Sequence, residues 1–149
     1  MEKNTTLRDL LLLSIQDNAS DLHLTDGTPP VLRIDGELVM LKRSPLARQD
    51  MQEMIFSVLS QGQKEQFEKN KELDFSLAMT GLDRFRVNVH IQRGAVEAAF
   101  RRVSLFIPTI EELHLPSIVA DLARGHSGLV LITGPTGTGK TTTLAAMVN

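Results

Sequence analysis

The first regular pattern along the chain is helical: Leu7, Leu11 and Ile15 share one face, behind a cap near Thr5 or Thr6 and ahead of a break near Asn18. A period of two takes over in Asp21-Leu22-His23-Leu24-Thr25. Residues 30–34, Asp35-Gly36 and residues 37–41 then read as a hairpin around a two-residue turn. Helical spacing returns with Met51, Met54, Ile55, Val58 and Leu59. Ser44-Pro45 is the predicted start of that helix, because proline is preorganised for a first helical position. Residues 61–72 are polar around Phe67 and predict only a further amphipathic turn or two.

The next stretch alternates more strictly. Leu73, Phe75, Leu77 and Met79 form one apolar face, and in the run from Arg84 to Gln92 the residues Phe85, Val87, Val89 and Ile91 form another. Arg84, Arg86, Asn88, His90 and Gln92 point the other way. With Arg93-Gly94 as a two-residue turn, residue 92 faces 95, Arg86 faces Arg101 and Arg102 falls on the apolar side opposite Phe85. Like charges directly opposed on one face destabilise a sheet unless an anion lies between them. A nucleoside triphosphate is such an anion, so Arg86 and Arg101 are candidate functional residues. The competing reading has them fan into solvent or pair with Glu97 and other acids.

Two prolines, Pro108 and Pro116, bracket a segment where Thr109 and Glu112 have capping-box spacing, which predicts a short helix in a hinge. A second helix is predicted from about Pro116 to Arg124, closed by Gly125. The domain boundary therefore falls near residue 105, giving a first domain over 1–105 and a second segment over 106–149. The uninterrupted apolar run from Gly128 to Thr133 predicts a parallel strand buried on both faces.

That run leads directly into Gly134-Pro135-Thr136-Gly137-Thr138-Gly139-Lys140-Thr141, which satisfies G-x-x-x-x-G-K-[ST] at every required position. Glycines there let the backbone amides from Gly137 to Thr142 turn inward around a phosphate with no Cβ in the way. Lys140 is placed to reach the β- and γ-phosphate oxygens, and the Thr141 hydroxyl to complete the coordination of Mg2+. The helix that follows, carrying Leu144, Ala145, Ala146, Met147 and Val148, adds its own N-terminal field. ATP and Mg2+ are thus the expected ligands.

Composition narrows the classes of partner. The 149 residues carry 16 Lys and Arg against 18 Asp and Glu, a formal charge of -2, and no Trp or Tyr, so nothing recommends nucleic acid. Cysteine is absent, which excludes disulfides and thiolate metal sites. Leu10 to Leu13 is flanked by Arg8, Asp9, Gln16 and Asp17, too closely for a membrane span, and it is too short for a signal sequence. His23, His90, His114 and His126 have no metal-ligand spacing; His23 shares a strand face with Asp21.

Taken together, Ala19-Ser20-Asp21-Leu22-His23-Leu24, the Pro29-Pro30 hairpin, Arg84-Phe85-Arg86-Val87-Asn88, Phe100-Arg101, Glu111-Glu112-Leu113 and Gly128-Leu129-Val130 with the loop at 134–143 resemble the N-terminal part of the secretion ATPases that drive type IV pili and type II secretion. The likeness covers essentially the whole chain and leans to the pilus-retraction motors of twitching motility. It implies a PAS-like N-terminal domain of α+β class, joined to the start of an α/β RecA-like ATPase domain. It further implies a cytoplasmic homohexamer at the inner-membrane pilus base, partnered with the platform protein. The family's N-terminal arginines, which meet the γ-phosphate, carry over onto Arg86 and Arg101, with Arg84 as a third.

The acidic box, the catalytic glutamate, the histidine box and the C-terminal retraction motif of that family have no counterpart up to Asn149. The expectation is an N-terminal piece that binds ATP without turning it over. A pilus-extension or type II secretion ATPase is the alternative within the family, although those generally carry a domain ahead of the PAS-like one. A non-catalytic PAS-like nucleotide-binding or interaction module is the alternative outside it.

Overall fold

The computed structural model describes residues 5–104, 106–135 and 138–149. The chain divides into two compact units, Met1–Val103 and Ser104–Asn149. The first is a six-stranded, wholly antiparallel sheet backed by three helices; the element order is α1 (Leu7–Gln16), β1 (Asp21–Leu24), β2 (Val31–Ile34), β3 (Glu37–Met40), α2 (Arg48–Phe56), α3 (Gln61–Asn70), β4 (Glu72–Ala78), β5 (Arg84–Gln92) and β6 (Ala95–Val103). The strands lie in the order β3-β2-β1-β6-β5-β4, so the two hairpin systems are joined by the pairing of β1 with β6.

Strand alternation separates two faces. Leu32, Leu22, Phe100 and Val87 lie side by side across β2, β1, β6 and β5, all fully or almost fully buried, and they join Leu10 and Leu11 of α1, Met51 and Ile55 of α2 and Phe67 of α3 in one core. One residue further along, Arg33, Asp21, Arg101, Arg86 and Ser76 form a polar row on the other face. Both two-residue turns adopt the left-handed conformation that suits tight hairpins, at Asp35-Gly36 and Arg93-Gly94, with φ of 49° and 88° and of 51° and 78°. The Arg93-Gly94 turn fixes the predicted register: Arg86 faces Arg101 and Phe85 faces Arg102.

Local chemistry sets the helix ends. Thr6 and Asp9 form a capping box on α1, and Ser60 and Gln63 form one on α3. The second box explains a full ten-residue α3 where the polar sequence around Phe67 predicts a turn or two. In contrast, α2 starts at Arg48, behind Ala47, and not at Ser44-Pro45. The Leu46 amide donates to the Thr28 carbonyl, which ties the preceding residues to the β1–β2 loop.

The second unit holds α4 (Ile118–Ala123), which packs against α5 (Lys140–Val148). The box between Thr109 and Glu112 forms, through bonds of 2.8 and 3.1 Å, yet no helix grows from it. The Leu115 amide returns at once to the Ile110 carbonyl, and His114 takes a φ of 52°, closing the segment as a turn. Gly128–Thr133 also departs from expectation. It joins no ladder among the described residues, and Leu129 and Leu131 are 81% and 73% exposed. A parallel strand acquires its hydrogen bonds and its burial from neighbouring strands, and none lies beside this run among the described residues.

Candidate functional site

The residues matching G-x-x-x-x-G-K-[ST] lead into the start of α5. Gly139, the residue before the helix, has a φ of 84°, a left-handed geometry that glycine adopts without strain. It provides no side-chain cap, so the first-turn amides, those of Lys140, Thr141 and Thr142 among them, are unsatisfied by the helix itself and available to an anion. Gly134 is equally constrained, since a Cβ there would lie 2.9 Å from the Thr138 hydroxyl. That hydroxyl donates to the Pro135 carbonyl at 2.9 Å, and the Lys140 ammonium donates to the same oxygen at 2.5 Å. Lys140 therefore lies over the loop, where a phosphate oxygen could replace the carbonyl as its partner. The Thr141 and Thr142 side chains are exposed in the first turn, and the Thr141 hydroxyl suits a hard cation that takes oxygen ligands. Thr136 and Gly137 lie outside the described residues.

In the first unit, the expected arginine pair is present with an acid beside it. Asp21 on β1 is paired in register with Arg101 on one side and Arg33 on the other. Its carboxylate accepts from Arg101 Nε at 2.9 Å and from the Ser20 hydroxyl at 2.8 Å, with Arg33 Nε 3.7 Å away. Burial pushes the Asp21 carboxyl up, but the bonds from Ser20 and Arg101 and the Arg101 charge outweigh it and hold the group below its ordinary value. Arg101 thus pairs with Asp21; Glu97 instead lies 3.9 Å from His90. Arg86 is exposed and has no hydrogen bond or ion pair among the described residues. Arg102 is committed elsewhere, to Asp83 at 2.5 Å and Asn18 at 3.1 Å. Arg84 is exposed opposite Val103.

Asp21 and Arg33 are the residues that sequence reasoning missed. The like-charged pair itself was a signal that an acid should be near, but the pairing of β1 with β6 spans 80 positions and no local period reveals it. His23, one place along the same face, has a buried Nε2 without a hydrogen-bond partner among the described residues. Burial lowers its basicity more than the Asp21 charge raises it, and Arg33 and Arg101 lower it further.

Residues 100–149 match the family model described as type II/IV secretion system protein. Those residues carry the signature of that family. The chain is 40% identical over 139 residues to the type IV pilus ATPase PilU of Pseudomonas aeruginosa, covering 93% of this chain and 36% of PilU. It is 39% identical over 143 residues to the pilus retraction ATPase PilT of the same organism, covering 96% of this chain and 42% of PilT. A crystal structure of the pilus retraction motor PilT with bound ADP superposes with a TM-score of 0.82 at 42% identity, over 97% of this chain and 42% of that one. The chain thus spans well under half the length of these relatives. Among the described residues no helix is long and apolar enough to cross a membrane, and no three His, Asp or Glu residues cluster as a metal site.

Proposed function

We propose that these residues are the nucleotide-binding part of a hexameric motor ATPase that powers type IV pilus retraction. The observation that carries the reading is the phosphate cradle: a left-handed Gly139, an uncapped first turn of α5 and Lys140 folded over the loop. In it, Gly134, Pro135, Thr136, Gly137, Thr138 and Gly139 enclose the phosphates of ATP, Lys140 neutralises them, Thr141 holds Mg2+ and Thr142 adds an amide. The identity to PilT supports assigning the motor to retraction, and that to PilU to the type IV pilus.

On this reading the first unit is a PAS-like domain whose Arg86 and Arg101 reach the γ-phosphate. There they stabilise charge in transfer or sense the triphosphate and drive closure. The motor works as a cytoplasmic homohexamer against the pilus platform protein at the inner membrane. Phosphoryl transfer to water also needs a group that orients the water, and we assign none within these 149 residues, so the isolated chain binds ATP without hydrolysing it.

The test is ATP titration and turnover in the full-length motor. Lys140→Ala is expected to abolish detectable binding. Arg86→Ala should retain binding but lose turnover by about 100-fold or more, the scale of a removed charge-stabilising contact. Equal affinity and turnover in all three proteins would eliminate the proposal.

A further inference from the structure

We infer that Asp21 is a positioning residue for Arg101: its carboxylate grips the guanidinium by Nε and leaves the two terminal nitrogens to receive the outermost phosphate of a nucleotide. The inference rests on the reading that Arg101 meets that phosphate. Two observations on the pair itself carry it. Asp21 is itself fixed, with a side chain only 7% exposed, a backbone in the centre of the sheet and a second bond from Ser20. Arg101 is held at one point only. Its Nε bonds to Asp21, its side chain is 71% exposed, and its terminal nitrogens have no partner among the described residues.

The neighbouring Arg102 shows what a purely structural arginine looks like on the same strand. It is engaged through both Nε and a terminal nitrogen, by Asp83 and Asn18, and its side chain is 20% exposed. A planar guanidinium gripped at Nε keeps its fork of terminal N–H groups, the geometry that binds a phosphate through two parallel bonds. Asp21 also explains how Arg86 and Arg101 can stand opposite each other before any nucleotide arrives. One negative charge sits in the row Arg33, Asp21, Arg101, Arg86, and it offsets the repulsion that two opposed cations would otherwise suffer.

A carboxylate beside an anion site could also act in the opposite sense, by competing with the phosphate for the arginine, so the sign of the effect decides. Affinities of the full-length protein for adenylyl imidodiphosphate and for ADP would be measured for Asp21→Asn, Arg101→Ala and the double variant. Positioning predicts that Asp21→Asn weakens the triphosphate analogue about fivefold, in keeping with an ion pair whose arginine is largely exposed, and leaves ADP within about twofold. In the Arg101→Ala background the same change should have no further effect. Equal losses for both nucleotides, additivity with Arg101→Ala or tighter triphosphate binding would overturn the inference.

If Arg101→Ala leaves the triphosphate-to-diphosphate ratio unchanged, the reading of Arg101 fails and the inference falls with it. If Arg101→Ala lowers that ratio and Asp21→Asn does not, the inference alone fails. Should Asp21→Asn fold poorly, Ser20→Ala removes only the second bond to the carboxylate. It must then lower the ratio in the same direction by a smaller factor, and an unchanged ratio would count against Asp21.

Discussion

Asp21 and His23 are adjacent on one strand face, and both are displaced in the direction that makes the folded state sensitive to acid. Each has a folded-state pKa below its ordinary value, so the unfolded chain binds more protons and stability falls as pH falls. His23 acts first. Its contribution is complete above the unfolded value of about 6.5 and is lost as pH drops from there through the lowered folded value. Asp21 follows below about pH 4, the ordinary carboxylate range. The urea midpoint is therefore expected to be lower at pH 5.5 than at pH 7.5, and His23→Gln should remove most of that difference. A difference that persists in His23→Gln would assign the acid sensitivity to another group. Of these residue-scale features, the facing of Arg86 and Arg101 was readable from the Arg93-Gly94 turn alone. The acid between β1 and β6 was not, because the pairing that delivers it is set by the whole sheet.

Elements with a strong period declared themselves, and the departures came where a single hydrogen bond outweighed the pattern. The α3 helix buries only Phe67, so its amphipathic signal is weak, and its first turn depends on the Ser60–Gln63 box. Ser60→Ala should accordingly cost about 1 kcal/mol, the usual value of an N-cap, read as a lower urea midpoint at unchanged slope. An unchanged midpoint would mean that packing of Phe67 against Phe56, whose rings meet edge to face at 5.9 Å, holds the helix without its cap. At α2 the Leu46 amide took a tertiary acceptor and moved the helix start past Pro45, a choice no local propensity contains. Gly128–Thr133 failed for the complementary reason: its sequence is that of a buried strand, but a strand is a property of at least two segments.

At the scale of the molecule, the apolar core runs from Leu7 to Phe100 and lies wholly in the first unit. A chain ending at Val103 should fold by itself and melt cooperatively, with a midpoint within a few degrees of the 149-residue chain. Loss of cooperativity on that truncation would show that the second unit is required for the first to hold together. The fold of the first unit was largely present in the alternation of its strands. The loop pattern of the second unit is contained in eight consecutive residues, whereas its surroundings depend on contacts beyond any short window of sequence.

The exposed run from Leu129 to Thr133 has a consequence for the chain in solution. Five consecutive uncharged residues without proline, two of them over 70% exposed, form a segment whose main-chain groups can pair with an identical segment of another molecule. A net charge of -2 offers little repulsion against such stacking. The stretch that precedes residue 134 is therefore, with the exposed residues of the edge strand β3, a place where copies of this chain can self-associate.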